Sequence, residues 1–439
     1  MRISVIGCGY LGAVHAAAMA DLGHDVVGID VDAGKVALLS EGRTPFYEPG
    51  LDELLRSGLA SGRLRFSTDI GEAAGAEVHF IAVGTPQSAN DNSADMSYVD
   101  SAVEALIPHL SPGNLLVGKS TVPVGTAERL SSWVSERVPG VMLAWNPEFL
   151  REGFAVQDTL SPDRIVYGLP AGGNSDTAER LLDAVYAEAL AAATPKVATD
   201  FATAELVKAA ANAFLATKIS FINAMAEVSE AVGADVTRLA DAIGYDARIG
   251  RRFLNAGVGF GGGCLPKDIR AFAARAEELG VGESVAFLRE VEAINLRRRA
   301  RVVQLVEEHC EGSLAGRRIA VLGATFKPDS DDVRDSPALD VAAALRAGGA
   351  ELTVTDPQGI ENARRRHPEL HYEADTDTAL VGAEIVVLLT EWKEYRRLEP
   401  AQTLRRTGVD RPLIIDARNC LDPEAWRAAG WQYRGLGRS

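Results

Sequence analysis

One segment of the chain places a cysteine among residues that favour its reactive form. Residues 259–268 read Gly-Phe-Gly-Gly-Gly-Cys-Leu-Pro-Lys-Asp, so Cys264 follows three glycines and precedes Lys267 and Asp268. Glycine has no side chain, and a ligand can therefore approach the backbone closely at such a segment. A nearby lysine favours the thiolate, which is the nucleophilic form of cysteine. The segment predicts a reactive thiol beside a bound ligand.

A second segment, near residue 7, has the spacing of a dinucleotide-binding turn. The sequence GCGYLG, from Gly7 to Gly12, fits the pattern GxGxxG between a predicted strand and a predicted helix. Its glycines permit a tight turn and the close approach of a pyrophosphate to the helix N-terminus. Asp30 ends the next predicted strand, where an acid binds the ribose 2′-hydroxyl and repels a 2′-phosphate. The pattern favours NAD over NADP; the alternative is a Rossmann-like turn that binds another ligand.

Further residues that could take part in chemistry lie in four other segments. Two glutamates stand four residues apart after a strand, and a lysine and an asparagine stand four apart on one helix face. Taken singly, each has a structural explanation, because loop glutamates and helical lysines usually lie at the surface. Their occurrence together with Cys264 favours catalysis. The segments are KSTVPVGT with Thr121, NPEFLREG with Glu148 and Glu152, the helix with Lys208 and Asn212, and residues 326–337 with Lys327 and Arg334.

The apolar runs indicate which elements hold these residues. Short strands alternate with helical stretches in two sections, which is typical of parallel sheets wrapped by helices. Between them, residues 201–232 predict one helix of about 30 residues, and residues 269–309 a further helical stretch. The fold class that follows is α/β, with two Rossmann-like, doubly wound parallel-sheet domains joined by a long central helix. Strands are predicted at 3–6, 26–29, 78–83, 115–119, 142–145, 318–323, 351–355, 385–389 and 413–416.

The composition is that of an ordinary globular protein with two or three domains. The 439 residues include 45 Lys+Arg and 61 Asp+Glu, a net charge of −16 that argues against nucleic acid or an anionic membrane as partner. The four cysteines are far apart without a CxxC pair, so neither a metal site nor a disulfide framework is indicated. We therefore expect a cytoplasmic protein, without a signal peptide or a membrane span. Cys8, Cys310 and Cys420 are expected to be packing residues.

The motifs occur together in the order typical of one family. They are GCGYLG, EPGLDELL, VGTPQ, KSTVPVGT, NPEFLREG, ELVKAAANAFLATKISFINAMAE, GFGGGCLPKD, FKPDSDDVRDSP and DARN. On these residues the chain resembles the UDP-glucose/GDP-mannose dehydrogenase family from residue 7 to residue 419. SPDRIV at 161–166 and DARIG at 246–250 resemble the branch that acts on UDP-glucose most closely, whereas LPKD also resembles the GDP-mannose branch. Gly263 and Leu265 stand where serine and phenylalanine are common in the family, a difference that affects packing more than chemistry.

The resemblance implies an oxidation of UDP-glucose at C6 to UDP-glucuronate, with two NAD used in succession. The first hydride transfer leaves an aldehyde, to which the thiolate of Cys264 can add. The thiohemiacetal gives up a second hydride, and the resulting thioester is hydrolysed. A covalent link explains how the aldehyde stays bound while the cofactor is exchanged.

The resemblance also gives roles to the other catalytic candidates. Lys208 and Asn212 would stabilise negative charge at the reacting oxygen. Asp268 and Thr121 would position water or relay a proton. Glu148 is the leading candidate to assist thioester hydrolysis, and Glu152 borders the sugar and the nicotinamide.

Binding residues follow from the same resemblance. The counterpart of Arg248 in related enzymes reaches a neighbouring subunit, so a functional homodimer is expected. Cofactor contacts are expected at Gly7, Gly9, Tyr10, Leu11, Gly12, Asp30, Lys35, Thr85, Thr121, Glu152, Lys267 and Arg334. Contacts with the nucleotide sugar are expected at Glu148, Phe149, Leu150, Glu152, Lys208, Asn212, Arg248, Asn255, Gly257, Phe260, Gly261, Phe326, Lys327 and Arg418.

The expected domains are three, and two other functions stay open. Residues 1–200 would form an NAD-binding Rossmann domain, 201–310 a central helical dimerisation domain with the cysteine, and 311–439 a Rossmann-like UDP-binding domain. One alternative is the same reaction on GDP-mannose or UDP-N-acetylmannosamine. The other is a catalytically silent Rossmann protein that binds a nucleotide sugar. The presence of Cys264, Lys208, Asn212 and Asp268 argues against the silent protein.

Overall fold

The protein is seen in a computed structural model that describes residues 1–88, 91–172 and 174–438. The chain forms two compact units. The first comprises Met1–Ala211 and Arg270–Gly282, and the second comprises Asn212–Ile269 and the chain from Glu283 onwards. In the described part of the chain, no helix is both long and apolar enough to cross a bilayer.

The first unit is built on an eight-stranded sheet in the order β3-β2-β1-β4-β5-β6-β7-β8. All neighbouring strands are parallel except β6 and β7, which pair antiparallel. The central strands are apolar and buried on both faces, as parallel strands between two helical layers must be. The last strand, β8, lies at the sheet edge and is mostly exposed. The strands are β1 (Arg2–Ile6), β2 (Asp25–Ile29), β3 (Leu64–Ser67), β4 (Val78–Ile81), β5 (Leu115–Gly118), β6 (Met142–Trp145), β7 (Ile165–Leu169) and β8 (Lys196–Asp200).

Helices cover both faces of this sheet and enclose two apolar cores. One core contains Val5 and Phe80, and the other contains Ile6 and Ile81, so successive residues of one strand point into different cores. The helices are α1 (Tyr10–Asp21), α2 (Ala33–Ser40), α3 (Leu51–Ala60), α4 (Ser97–Leu106), α5 (Thr126–Arg137), α6 (Ala155–Leu160), α7 (Ser175–Val185) and α8 (Ala187–Ala191), with 3₁₀ turns at Ile70–Ala73 and Ile107–His109.

Long helices follow, and the boundary between the units falls inside two of them. The helix predicted at 201–232 is confirmed at its full length. The further helical stretch predicted at 269–309 is confirmed in type but consists of two helices, because Gly280 takes a φ of +75° and ends one helix before the next begins. The helices are α9 (Phe201–Val232), α10 (Val236–Gly244), α11 (Leu265–Glu278) and α12 (Phe287–His309), with a 3₁₀ turn at Gly282–Val285.

The second unit contains a five-stranded, fully parallel sheet in the order β10-β9-β11-β12-β13. It too separates two cores, one with Val321 and Leu339 and the other with Leu322 and Trp392. The predicted α/β class with two doubly wound sheets is therefore confirmed. The elements are β9 (Arg318–Leu322), α13 (Pro337–Ala347), β10 (Glu351–Thr355), α14 (Ile360–Arg366), α15 (Thr376–Leu380), β11 (Ile385–Leu388), α16 (Lys393–Arg396), α17 (Pro400–Thr407), β12 (Leu413–Asp416), α18 (Pro423–Ala428) and β13 (Gln432–Gly435).

Candidate active site

The turn after β1 has the shape that a dinucleotide requires. Gly7 takes a φ of +90°, and a Cβ there would lie 2.7 Å from the Val83 side chain. A Cβ on Gly12 would lie 1.8 Å from the carbonyl oxygen of Gly7, so the third glycine lets the turn close on the helix. A Cβ on Gly9, by contrast, would meet nothing within 4 Å. The open backbone at Gly9, at the N-terminus of α1, fits a bound diphosphate.

Asp30 stands beside this turn at the end of β2. Its carboxylate accepts hydrogen bonds from the backbone N–H of Cys8 at 2.8 Å and of Asp32 at 3.0 Å. The Lys35 ammonium lies 2.8 Å from the same carboxylate. Burial, with a smaller contribution from Asp30, raises the pKa of the Cys8 thiol, which supports the prediction that Cys8 is a packing residue.

The loop after β6 holds the Glu148 carboxylate at both oxygens. Oε1 accepts the backbone N–H groups of Phe149 and Leu150, each at 2.6 Å. The other oxygen lies 3.2 Å from the Nζ atom of Lys119, at the end of β5. The Glu148 side chain is 16% exposed and that of Lys119 only 5%. Sequence reasoning gave Lys119 no role, although its position before Ser120 and Thr121 at a strand end was a usable signal.

Glu48 is a carboxylate that was not among the predicted site residues, and it fixes the chain beyond Glu152. Glu48, from the motif EPGLDELL, accepts the Tyr10 hydroxyl and the backbone N–H groups of Gly153 at 2.6 Å and Ala155 at 2.7 Å. Burial raises the pKa of Glu48 above its ordinary value, and these donors oppose the rise. The first turn of α1 is thereby tied to the loop that carries Glu152.

The predicted Lys208 and Phe149 are neighbours in the first unit. The Nζ atom of Lys208 lies 5.5 Å from the centroid of the Phe149 ring, and the Arg164 guanidinium lies 3.9 Å from it. Cation–π attraction orients long side chains in this way. The contacts keep the Lys208 ammonium next to the segment that follows Glu148.

Thr121 is positioned by its neighbours rather than by its own side chain. The Thr85 hydroxyl donates to the Thr121 carbonyl at 2.8 Å. Glu205, one turn before Lys208 on α9, accepts the backbone N–H groups of Gly125 and Ala127, each at 2.7 Å. Glu205 therefore anchors the KSTVPVGT loop to α9, a role that sequence reasoning did not foresee.

In the second unit the predicted catalytic residues around the cysteine lie together. Cys264 is exposed and directly precedes α11, and its carbonyl accepts the backbone N–H of Asp268 at 2.9 Å. Asn212 donates to the Asp268 carboxylate at 2.6 Å, and the Lys267 ammonium lies 2.7 Å from its other oxygen. A helix N-terminus and a nearby ammonium both favour a thiolate. The arrangement suits Cys264 to act as a nucleophile.

The glycines before Cys264 are also required by protein packing, a reason that the sequence interpretation did not include. A Cβ on Gly261 would lie 2.2 Å from the Asp335 carbonyl oxygen, and one on Gly262 would lie 2.7 Å from the Phe326 ring. A Cβ on Gly263 would lie 2.3 Å from the Arg334 guanidinium carbon. The glycines let the cysteine segment lie against the loop of residues 326–335.

Several expected substrate residues are bound to other parts of the second unit. Arg418 donates to the carbonyls of Leu389, Gly259 and Phe326 at 2.7, 3.0 and 3.1 Å, and so joins three loops. Lys327 lies over the ring of Phe326, with Nζ 5.2 Å from its centroid. The backbone at Gly257 and at Phe260 is held by Asn223 and Asn295, and Asn255 accepts from Arg251 at 2.8 Å. Their contacts with substrate stay predictions.

Two arginines of the expected site project from the second unit. The Arg248 side chain is 89% exposed and pairs with Asp246. Arg334 forms a bidentate pair with Asp332, with a shortest distance of 2.7 Å. The structure describes all four cysteines and none is in a disulfide. Within the described residues no cluster of His, Cys, Asp and Glu could hold a metal ion.

Comparison with known proteins accounts for almost the whole chain. Three sequence models of the UDP-glucose/GDP-mannose dehydrogenase family match it: the NAD binding domain at residues 1–190, the central domain at 202–297 and the UDP binding domain at 320–423. Among curated relatives, the UDP-glucose 6-dehydrogenase of Rhizobium meliloti (strain 1021) is 43% identical and covers 100% of both chains. The UDP-glucose 6-dehydrogenase TuaD of Bacillus subtilis (strain 168) is 40% identical over 100% of this chain and 93% of its own.

A solved structure agrees with these matches. The UDP-glucose dehydrogenase from the archaeon Pyrobaculum islandicum has a TM-score of 0.90 and 40% identity, covering 100% of this chain and 98% of its own. The dinucleotide turn, the cysteine segment and the full-length similarity agree with one another. The chain therefore belongs to the UDP-glucose/GDP-mannose dehydrogenase family and is an NAD-dependent nucleotide-sugar dehydrogenase.

Proposed function

We propose that this enzyme oxidises UDP-glucose at C6 to UDP-glucuronate through a covalent intermediate on Cys264. The observation that carries the proposal is the exposed Cys264 at the N-terminus of α11, beside an Asp268 carboxylate held by Asn212 and Lys267. The names of the relatives that are about 40% identical over the full chain support UDP-glucose as the substrate.

The first unit would hold the cofactor. Gly7, Gly9 and Gly12 would receive its diphosphate at the α1 N-terminus, and Asp30 would bind the adenosine ribose. When bound, NAD supplies the oxidising equivalents of the reaction, one hydride acceptor for each of the two oxidations.

Cys264 would hold the sugar between the two oxidations. Its thiolate adds to the aldehyde carbon, a C–S bond forms, and the carbonyl electron pair moves to oxygen, which takes up a proton. Lys208 and Asn212 would stabilise the developing charge on that oxygen. The second oxidation leaves a thioester between Cys264 and C6.

Glu148 would assist the hydrolysis of this thioester. The carboxylate takes a proton from water, the water oxygen bonds to C6, and the C–S bond breaks to return Cys264 as a thiolate. Asp268 and Thr121 would position water or relay a proton. The two backbone N–H groups at Oε1 support this role, because they fix the direction of the Glu148 carboxylate.

We further propose that residues 201–310 form a dimerisation domain. In the second unit, α9 exposes Phe214, Phe221, Val228 and Val232, with exposed fractions between 49% and 71%. Their spacing of seven, seven and four residues places them on one side of the helix. An apolar stripe of this kind is typical of a surface that another chain covers.

The assay that tests the reaction is NADH formation with a panel of nucleotide sugars: UDP-glucose, UDP-N-acetylmannosamine and GDP-mannose. We expect UDP-glucose to be preferred, with two NADH formed per sugar consumed. Preference for another sugar would contradict UDP-glucose as the substrate. Formation of one NADH per sugar, with free aldehyde as the product, would contradict the covalent path. If none of these nucleotide sugars is oxidised, the remaining hypothesis is a protein that binds a nucleotide sugar without catalysis.

Variants of the cysteine test the covalent path separately. Cys264→Ala should still bind NAD and UDP-glucose, while steady turnover falls by roughly 10⁴-fold or more. Cys264→Ser keeps the shape with a weaker nucleophile, so mass spectrometry should detect a sugar-nucleotide ester on it. Cys420→Ala is the matched control, because burial raises the pKa of that thiol and we expect no effect on turnover.

The dimer is tested by mixing two inactive variants, Cys264→Ala and Arg248→Ala. If Arg248 completes the partner's site, some mixed dimers regain one intact site and activity returns. Unchanged inactivity, with subunit exchange verified, would show that the site is not shared.

A further inference from the structure

We propose that Lys119, supported by Asn146 and Tyr186, positions the Glu148 carboxylate for the hydrolysis of the thioester. The inference rests on the proposed function, in which Glu148 takes the proton from water. Lys119 touches no reacting atom in this scheme and is a positioning residue.

Lys119 places its ammonium group in the interior of the first unit. The residue is 4% exposed, and its Nζ atom contacts Glu148 at 3.2 Å, the Asn146 amide oxygen at 3.0 Å and the Tyr186 hydroxyl at 3.3 Å. Among the described residues, Glu148 is the one carboxylate that forms an ion pair with it. An unpaired ammonium at such a depth would be strongly destabilising. The charge of Glu148 therefore accounts for a lysine at this position.

Asn146 and Tyr186 fix the orientation of the Lys119 ammonium group. Asn146 donates its Nδ2 to the Val166 carbonyl at 3.0 Å, which turns its amide oxygen towards Lys119. The Tyr186 hydroxyl donates to that same oxygen at 2.5 Å, so its own oxygen can accept from Lys119. Every polar atom of this cluster is paired, and fully paired buried networks are rigid.

The arrangement suits a general base better than a purely structural role. The two backbone N–H groups fix Oε1 of Glu148, and Lys119 fixes Oε2. An apolar side chain of similar length would fill the same space without the desolvation cost of a charge.

One other titratable group faces the cluster from α1. His15 is fully buried, and burial together with the charge of Lys119 lowers its pKa well below the ordinary value. His15 is therefore neutral near pH 7 and leaves Lys119 as the positive charge of the cluster. During hydrolysis the water proton passes to Glu148, the C–S bond breaks, and Lys119 neither gains nor loses a proton.

The test separates oxidation from hydrolysis in Lys119→Met. The enzyme is mixed with UDP-glucose and NAD, NADH is followed through the first turnover, and samples quenched in acid are analysed for a sugar nucleotide on Cys264. We expect the first two NADH per site to form within about threefold of the normal rate, steady turnover to fall about 10²-fold, and the Cys264 adduct to accumulate. A residue that only stabilised the fold would slow the first NADH as much as the steady rate.

Two further variants complete the design. Glu148→Gln should accumulate the same adduct, and if it does not, Lys119 cannot act through Glu148 and the inference is wrong. Tyr186→Phe loses one hydroxyl and keeps the ring, so we expect the same pattern with a fall in steady turnover of about fivefold. If Lys119→Met does not fold, Tyr186→Phe decides the question, and an unchanged partition between oxidation and hydrolysis overturns the inference.

The controls identify which proposal has failed. Tyr167→Phe removes a buried hydroxyl from a ring whose centroid lies 6.2 Å from that of Tyr186, and we expect normal kinetics. Absence of NADH with the unmodified enzyme would reject the proposed function itself. Normal turnover of the unmodified enzyme together with parallel losses of both phases in Lys119→Met would reject only the positioning role.

Discussion

In each sheet, the strand that comes first along the chain is followed by a glycine. This glycine faces an aspartate at the end of the neighbouring strand. In the first unit Gly7 follows β1 and donates its N–H to the end of β2, where Asp30 lies. In the second unit Gly323 follows β9 and donates in the same way to the end of β10, next to Asp356. Both glycines have positive φ, +90° and +110°. The backbone plan is thus shared, although the two sequences show no convincing repeat.

The surroundings of the two aspartates differ. Asp356 is 3% exposed and accepts six protein donors, whereas Asp30 accepts two backbone N–H groups and the Lys35 ammonium. The glycine after the strand is crowded in both units, because a Cβ would lie 2.7 Å from the Val83 side chain at Gly7 and 2.4 Å from the Thr390 hydroxyl at Gly323. Open space in the first turn lies at Gly9, where a Cβ would meet nothing within 4 Å. The donors to Asp356 are Ala324 N, Thr325 N and Oγ1, Gln358 N, Gly359 N and Trp392 Nε1. We therefore expect the turn of the first unit, and not that of the second, to bind a ligand.

Replacing the two aspartates should separate stability from cofactor binding. Asp356→Ala leaves buried donors without an acceptor, so we expect the free energy of unfolding to fall by about 4 kcal/mol. Urea unfolding can be followed by fluorescence, since Trp392, Trp426 and Trp431 lie in the second unit. Asp30→Ala should cost about 1 kcal/mol and narrow the preference for NAD over NADP. Equal losses of stability would contradict the contrast, and comparable kcat/KM with NADP in the unmodified enzyme would contradict the role of Asp30.

Two glycine variants test how much room each turn leaves for an added methyl group. Gly323→Ala combines an unfavourable φ with an overlap at Thr390, and we expect a loss of about 3 kcal/mol in unfolding free energy. Gly9→Ala has an ordinary extended backbone and open space, so stability should change by less than about 0.5 kcal/mol. Its methyl group would occupy the expected diphosphate position, and calorimetry should show NAD binding weakened at least about tenfold. Unchanged NAD affinity would mean that the diphosphate lies elsewhere.

Lowering the pH should reduce the stability of the first unit in particular. Burial lowers the pKa of His79 from 6.5 to about 4, and also lowers the pKa of His15 and His24. A histidine with a depressed folded pKa stabilises the fold above its unfolded pKa, and this stability is lost as pH falls below 6.5. For His79 the loss approaches about 3 kcal/mol near pH 4. The raised pKa of Glu48 acts in the opposite direction, so the measurement needs a variant that differs at one histidine.

His79→Asn provides that comparison. Both proteins contain the same carboxylates, and the difference between their unfolding free energies from pH 7 to pH 4 isolates the histidine. We expect the unmodified protein to lose more stability than the variant over this range. Parallel curves would show that His79 titrates alike in the folded and unfolded chain.

The sequence predicted the parts of the fold that depend on local pattern. Buried apolar runs revealed the central strands, and the alanine-rich run at 201–232 defined α9 at full length. Four strands were missed: Leu64–Ser67, Ile165–Leu169, Lys196–Asp200 and Gln432–Gly435. Three of them are the first or last strand of a sheet, where polar residues interrupt the apolar pattern.

The grouping of several residues near Cys264 was predictable from the sequence, but the residues that support the neighbouring loops were not. Asn212, Lys267 and Asp268 were expected near Cys264 and lie together in the second unit. Lys119 and Glu205 were not identified, because a buried ion pair or a carboxylate at a backbone turn joins residues 29 to 80 positions apart. Such pairings depend on the tertiary fold, which sequence spacing does not contain.

The exposed edge of the large sheet has a consequence for handling the protein. A bare strand edge offers unpaired backbone groups to a second molecule, and β8 is such an edge. Lys196 begins this strand, and its ammonium is held at 2.8 Å from Glu179 and 2.9 Å from Asp183. We expect Lys196→Val, which removes this charge from the edge strand, to aggregate more readily on storage than the unmodified protein.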